Sequence, residues 1–169
     1  DWLEHTMLEC VDFVRSHGYE VTVGFEDASR ADQDFLCQLA EVAARAGARR
    51  LRFADTLGIL EPFTTWARMR TLRAVSGLEI EIHAHDDMGL ATANTLAACH
   101  GGATHANTTV NGLGERAGNA PLEEVVLGLS KLYGIHTGVD LKHFPALSQQ
   151  VAAASGRSVS WQKSVVGQG

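Results

Sequence analysis

The sequence has 169 residues, of which 45% are hydrophobic and 20% are charged, and this apolar content is sufficient for a folded core. The formal net charge of −6, without any cluster of Lys and Arg, argues against nucleic acid as a partner. No apolar run approaches the roughly 20 residues of a membrane span, so no membrane association is expected. Because the chain shows no signal peptide, we expect a cytoplasmic protein.

Apolar periodicity, with Gly or Pro at the element ends, predicts alternating helices and strands. In chain order, the predicted strands are residues 20–25, 50–54, 78–85 and 105–110. The predicted helices are one ending at Gly18, one from Ser29 to Gly47, one with Pro62 in its first turn that ends before Gly77, residues 91–99, one from Pro121 to Gly134, and residues 140–155. The second helix is placed at Ser29 because Ser29 and Asp32 resemble a capping box, and its apolar face carries Phe35, Leu39 and Val42.

Strand, loop and helix follow one another four times, which predicts right-handed βαβ units and a parallel sheet. Two architectures fit: an open doubly wound sheet, or part of a (β/α)₈ barrel. Polar residues follow every predicted strand, and this favours the barrel, which collects all its βα loops at one site. A full barrel needs about 250 residues, so we expect an α/β fold that is the C-terminal half of a TIM barrel.

The predicted domain organisation follows from where the repeat stops. Residues 1–134 are expected to form the half barrel, with about four βα units. Residues 135–169 are expected to add a helix and the start of a linker toward a C-terminal region outside this sequence. The chain begins without Met, inside a helical pattern, so we expect it to be an internal piece of a longer protein.

A pair of histidines, His83 and His85, closes the third predicted strand, which alternates apolar and polar residues. Side chains at positions i and i+2 of a strand leave the same face, about 6.5 Å apart at their Cα atoms. Two imidazoles placed in this way can bind one divalent cation. The alternative is a pair of polar residues at a solvated strand end, and the inward direction of both side chains favours the metal.

Two long motifs follow the third and fourth strands: HAHDDMGLATAN at residues 83–94 and NGLGERAGN at residues 111–119. Together they resemble the signature pair of the α-isopropylmalate synthase/homocitrate synthase family. Residues 24–30 and 53–63 most resemble the homocitrate synthases associated with nitrogen fixation. Related aldolases that act on hydroxy-oxo-acids have a similar His-x-His strand, but they lack the Glu-Arg pair of the second motif.

The resemblance implies an acyltransferase of amino-acid biosynthesis that uses a divalent metal (Mn²⁺, Mg²⁺ or Zn²⁺). Its reaction is a Claisen condensation of acetyl-CoA with a 2-oxo acid, and 2-oxoglutarate, giving homocitrate, is the expected substrate. The alternatives are a 2-isopropylmalate synthase that uses 2-oxoisovalerate, and then a lyase or aldolase of the same fold. A non-catalytic subunit of a split enzyme is a third possibility.

The resemblance also assigns roles to particular residues. His83 and His85 match metal ligands, and Asn119 matches a further ligand, bound directly or through water. Asn119 has an equally weighted alternative as the N-cap of the following helix. Thr56 matches a hydroxyl that binds the carboxylate of the oxo acid, and Glu26 matches an acidic catalytic group.

Several parts of the family's site do not match this chain. The acidic metal ligand belongs to the family's first strand, and the catalytic histidine lies just beyond a segment like residues 163–169. Residues 1–169 alone are therefore expected to be inactive, and the full-length enzyme is expected to be a homodimer. No arginine of the chain is clearly placed for a second substrate carboxylate, since Arg116 is expected to pair with Glu115 or a neighbouring loop. For Asp27 and Asp55, capping and loop hydrogen bonds are expected.

Overall fold

The structure, a computed structural model, describes residues 2–169, which form four β-strands, six α-helices and two 3₁₀ helices. The strands are β1 (Thr22–Phe25), β2 (Arg50–Asp55), β3 (Glu79–Ala84) and β4 (His105–Asn107). The α-helices are α1 (Trp2–Ser16), α2 (Gln33–Ala46), α3 (Pro62–Ser76), α4 (Ala91–His100), α5 (Leu122–Tyr133) and α6 (Phe144–Ser155). The 3₁₀ helices are Val110–Gly112 and Leu141–His143. None of the helices in this described part has the length and apolar character that a membrane crossing requires.

The four strands form one parallel sheet in the order β1-β2-β3-β4. Right-handed crossovers that always step in the same direction place every connecting helix on the same face of the sheet. Consecutive helices from α1 to α5 accordingly pack against one another. A doubly wound sheet instead reverses its strand order and carries helices on both faces. The sheet is therefore singly wound, as in a (β/α)₈ barrel, and the doubly wound alternative is wrong.

The hydrophobic core lies between the sheet and the helices. Phe53 of β2 and both Ile80 and Ile82 of β3 are fully buried, and they belong to one cluster with Met69 and Leu72 of α3. Burial of each such side chain contributes about 1.5–3 kcal/mol. Because alternate strand residues point to opposite faces, the polar residues between them project from the other face of the sheet.

The second helix begins later than predicted. Its N-cap is Asp32, whose carboxylate accepts a hydrogen bond from the backbone N–H of Phe35 at 2.9 Å. The predicted start at Ser29 is wrong, because this residue lies in the preceding turn and its buried hydroxyl has no partner within residues 2–169. Phe35 itself is 39% exposed and lies off the buried face of α2, contrary to the prediction, whereas Leu39 and Val42 are buried.

The fourth strand is shorter than the predicted residues 105–110 and ends at Asn107. Asn111 adopts a left-handed conformation, with φ of 61°, and the chain forms a 3₁₀ turn there. The backbone N–H of Asn111 donates to Glu123, and its side-chain amide donates to the carbonyl of Ser148 on α6 at 3.0 Å. These contacts fix the loop after β4 to both α5 and α6. The helix predicted over residues 140–155 is likewise divided, into a 3₁₀ turn and α6.

The outermost strands, β1 and β4, each have one edge that pairs with no strand in the described part of the chain. Beside β1 lies an apolar groove of about 560 Å³, lined by residues that include Met7, Val21 and Phe35. Unpaired strand edges and uncovered apolar surface are places where further protein can add to a sheet. The domain boundary predicted at residue 134 stays a prediction.

Candidate active site

The two histidines predicted to share one face lie side by side at the carboxyl end of β3. His83 is within the strand. His85 lies just beyond the end of the strand and forms an isolated antiparallel bridge with Asn119. The Nε2 atoms of His83 and His85 are 3.2 Å apart, and the ring centroids are separated by 4.8 Å. The arrangement follows from the two-residue period of the strand, which points both side chains in one direction.

A hydrogen bond defines the tautomer of His83. Its Nδ1 atom is 3.0 Å from the amide oxygen of Asn107 on β4, and this oxygen can only accept. The proton is therefore on Nδ1, and Nε2 keeps a free lone pair. Burial, followed by the positive charge of Arg52 and the neighbouring His85, lowers the pKa of His83 below its ordinary value. His83 is thus a neutral imidazole at pH 7, the form that binds metals.

The residues around this pair have unpaired polar atoms that fit a divalent cation. The amide oxygen of Asn119, which is bridged to His85, is buried without a hydrogen-bond partner in the described structure and lies beside the two facing Nε2 atoms. Nitrogen and oxygen atoms of this kind are ligands of Zn²⁺ and related ions. Within residues 2–169, no group of three or more His, Cys, Asp or Glu side chains could hold a metal ion. Any site here therefore depends on the two imidazoles and the amide.

Asn119 is held in place by the loop between β4 and α5. Its amide nitrogen donates to the carbonyl of Leu113 at 3.1 Å. The alternative role as a helix N-cap is wrong, because the N-cap of α5 is Pro121 and no side chain caps the helix. A Cβ atom at Gly114 would come within 2.6 Å of the Asn119 amide nitrogen, so this position must be glycine for the side chain to lie where it does.

The loops after β1 and β2 bring Glu26 and Thr56 together. The Thr56 hydroxyl accepts a hydrogen bond from the backbone N–H of Asp27 at 2.8 Å and lies 3.3 Å from a carboxylate oxygen of Glu26. The charges of Glu26 and Arg52 both act on the pKa of His83: Arg52 lowers it and Glu26 raises it. Nη1 of Arg52 is 3.9 Å from Glu26, and its charge acts on His83.

Arg116 connects three of the βα loops through hydrogen bonds. Its guanidinium binds both carboxylate oxygens of Asp87, at 2.8 and 2.9 Å, and donates to the backbone carbonyl of Thr56 at 2.6 Å. These hydrogen bonds hold the pKa of the Asp87 carboxyl below its ordinary value. Of the two expected partners of Arg116, Glu115 lies farther away, at 3.6 Å, and the neighbouring loop provides the stronger contact. Gly58, with φ of 60°, packs directly against Asp87.

Asp55 is fully buried and organises the loop that follows β2. Its two carboxylate oxygens accept hydrogen bonds from the backbone N–H groups of Ile59 and Leu60, each at 3.1 Å. This confirms the loop hydrogen bonds expected for Asp55. Asp27 forms an ion pair with Arg30 in the loop after β1.

Replacing Asp55 by alanine is expected to lower the free energy of unfolding by about 2–4 kcal/mol, because the buried N–H of Leu60 and the partly buried N–H of Ile59 lose a charged acceptor. Urea denaturation followed by circular dichroism measures the change. Asp27→Asn is the matched control, since it removes the charge from a surface ion pair and keeps a residue type that tolerates the left-handed backbone there (φ of 52°), so little change in stability is expected. Equal destabilisation by the two substitutions would contradict the role of Asp55.

The sequence analysis missed a set of charged residues below the histidine pair. Arg50 lies 3.1 Å from Glu79, and Arg52 lies 3.1 Å from Glu81, both across the β2–β3 pair. Arg50 also lies 2.7 Å from His105 of β4. Barrel interiors are usually filled by bulky branched side chains, so this charged interior is a specific feature. The sequence did contain a signal for these residues, because they alternate with the apolar residues of the two predicted strands.

This arrangement of a parallel, singly wound sheet with a histidine pair at its carboxyl end agrees with a comparison to known families. The model of the HMGL-like family matches residues 1–151. This chain belongs to the HMGL-like family.

Among its HMGL-like relatives are two enzymes with different names. Homocitrate synthase 1 of Nostoc sp. is 49% identical over 160 residues, covering 95% of this chain and 42% of that protein. 2-Isopropylmalate synthase 2 of Caldanaerobacter subterraneus is 48% identical over 166 residues, covering 98% of this chain and 43% of that protein. The chain thus spans less than half the length of these relatives.

Solved structures of other HMGL-like proteins support the fold. The crystal structure of HMG-CoA lyase from Bacillus subtilis matches 94% of this chain and 57% of the lyase, with a TM-score of 0.81 and 21% identity. At this identity the likeness concerns the fold alone. The predicted half of a (β/α)₈ barrel is confirmed.

Proposed function

We propose that the protein containing this chain is a metal-dependent acyltransferase that condenses acetyl-CoA with a 2-oxo acid. The observation that carries the proposal is the neutral His83, whose Nε2 atom faces that of His85 beside the unpaired amide oxygen of Asn119. The names of the relatives support this class of reaction. Because the chain covers less than half of these relatives, the activity belongs to the full-length protein.

Each residue of the site has a proposed role. His83, His85 and Asn119 hold the divalent cation, which is Mn²⁺, Mg²⁺ or Zn²⁺, and which when bound supplies Lewis-acid polarisation of the keto group. The Thr56 hydroxyl binds the carboxylate of the oxo acid. Glu26, whose carboxylate is next to this hydroxyl and largely exposed, holds or accepts a proton beside the substrate.

The proposed reaction joins the acetyl methyl carbon of acetyl-CoA to the keto carbon of the oxo acid. A base removes one proton from the methyl group, and the methyl carbon attacks the keto carbon while the keto C=O bond opens to an alkoxide that takes up a proton. Water then cleaves the C–S bond of the thioester, which leaves a carboxylate and releases CoA. Arg116 keeps the loops that carry Thr56 and Asp87 in fixed positions around this reaction. The Glu115–Arg116 pair favours a condensing enzyme over the lyase or aldolase alternative.

For the oxo acid, we propose 2-oxoglutarate, with homocitrate as the product and 2-oxoisovalerate as the alternative substrate. Residues 24–30 and 53–63 support this choice, since they resemble the homocitrate synthases associated with nitrogen fixation. The two relatives differ by one percentage point in identity and do not separate the substrates. A cytoplasmic homodimer that takes part in nitrogen fixation is part of the same proposal.

The test measures CoA release by the full-length protein from acetyl-CoA with 2-oxoglutarate, 2-oxoisovalerate or pyruvate. We expect release to require an oxo acid, to stop with a chelator and to return with Mn²⁺, Mg²⁺ or Zn²⁺. The value of kcat/KM for 2-oxoglutarate should exceed that for 2-oxoisovalerate by at least about tenfold, or about 1.4 kcal/mol. Cleavage of a hydroxyacyl-CoA without any condensation would instead support the lyase alternative.

A further inference from the structure

Arg52 projects from the same face of the sheet as the histidine pair. The register pairs Arg52 with Gly24 on β1 and with Glu81 on β3, and it pairs the next inward position, Ala54, with His83. The Cα atom of Arg52 therefore lies level with the residue two positions before His83, which is about 6.5 Å farther down the strand direction. Its guanidinium extends toward Glu26, at the mouth of the site.

The hydrogen-bonding capacity of Arg52 is largely unused. Nε is 3.1 Å from a Glu81 carboxylate oxygen, but it is buried and the alignment does not make a hydrogen bond. Nη1 has a distant contact of 3.9 Å with Glu26, whose side chain is 73% exposed. Within residues 2–169, the contacts of Arg52 with Glu26 and Glu81 are thus ion pairs without a well-aligned hydrogen bond.

Arg50, on the same strand and face, provides a contrast. Its Nε and Nη2 atoms donate to Glu79 at 3.3 and 3.1 Å, and Nη2 lies 2.7 Å from His105. Two arginines on one strand face thus differ: Arg50 forms hydrogen bonds with its neighbours, whereas the contacts of Arg52 with Glu81 and Glu26 are ion pairs without a well-aligned hydrogen bond.

Within residues 2–169, no side chain of β1 fills the space beside Arg52. Gly24, its neighbour on β1, is exposed, and a Cβ atom built there would meet no atom within 4 Å. The side chain of Arg52 is 32% exposed on this side. A planar guanidinium matches the geometry of a carboxylate, which it can bind through two parallel hydrogen bonds.

We propose that Arg52 binds the second carboxylate of a dicarboxylic 2-oxo acid and so selects such acids over branched-chain 2-oxo acids. This inference rests on the proposed function. The two carboxyl carbons of 2-oxoglutarate are separated by four C–C bonds, about 5 Å when extended, which fits the offset between the His83 layer and Arg52. A branched apolar side chain would instead cover the guanidinium without offering it a further acceptor, which is unfavourable. This proposal departs from the expectation that no arginine of the chain is clearly placed for this carboxylate.

The test compares kcat/KM for 2-oxoglutarate and 2-oxoisovalerate in the full-length protein and in Arg52→Gln. We expect the value for 2-oxoglutarate to fall by about 100-fold or more, mainly through KM, because a charged pair with the substrate is lost. The value for 2-oxoisovalerate should change by less than about threefold, so the ratio of the two shifts, which a merely structural role of Arg52 would not produce.

Arg50→Gln is the matched control, since it removes a guanidinium from the same strand face one layer deeper, and the substrate ratio should stay constant. If Arg52→Gln does not fold, as judged by circular dichroism, the double variant Arg52→Gln/Glu81→Gln removes the unpaired carboxylate and decides in the same way. An unchanged ratio in a condensing enzyme would overturn the role of Arg52 alone. Absence of condensation by the unmodified protein with both acids would instead overturn the proposed function.

Discussion

Alanine in place of His83 or His85 is expected to remove metal binding and condensation from the full-length protein. Each substitution deletes one of the two imidazoles whose Nε2 atoms face each other at 3.2 Å. The loss should exceed the about 10–100-fold that follows when a hydrogen-bonding neighbour of a ligand is removed. Calorimetric titration with Mn²⁺ or Zn²⁺ measures the affinity, and CoA release measures the activity.

Two further variants provide an intermediate effect and a control for this experiment. Asn107→Ala removes the acceptor that fixes the tautomer of His83 and should cost about 10–100-fold in metal affinity. His100→Ala changes an exposed histidine that stacks on Tyr133, outside the site, and should leave metal affinity unchanged. Undiminished turnover or affinity in His83→Ala would refute the assignment of the metal site.

Residues 1–169, produced alone, are expected to show no measurable condensation and to self-associate at micromolar concentration. The family's acidic metal ligand and catalytic histidine do not match positions in this chain, and loss of a general base alone costs about 10²–10⁴-fold. The unpaired edges of β1 and β4 and the apolar groove beside β1 favour association. CoA release and light scattering after gel filtration measure the two effects.

The full-length protein serves as the positive control in the same assays. A monomeric preparation of residues 1–169 that released CoA in an oxo-acid-dependent manner would contradict both parts of this prediction. Association without activity, followed by recovery of activity when the rest of the polypeptide is added, would agree with it.

Local patterns were sufficient to predict the strands and the histidine pair. The alternation around Ile80 and Ile82 identifies the buried face of β3, and the same two-residue period places His83 and His85 together. The direction of each crossover then follows from chirality, which is why the half barrel could be predicted from the sequence.

Features that depend on distant contacts could not be predicted in the same way. The early end of β4 depends on the left-handed Asn111, which is held by Glu123 and by Ser148 of α6. The start of α2 was predicted three residues early because the chain makes a turn through Ser29 before Asp32 caps the helix. The difference between Arg52 and Arg50 in hydrogen bonding could be recognised only from the structure, because the sequence alone does not distinguish the two arginines.

The contacts of Arg116 have a consequence for protein engineering. One guanidinium joins the loops after β2, β3 and β4 through Thr56, Asp87 and its own backbone. If one of these loops is replaced by a loop that lacks its contact residue, the hydrogen bonds to the other two loops are lost. Those two loops are then expected to shift. Chimeras that exchange these three loops as one set should keep their architecture, whereas chimeras that exchange one loop should not.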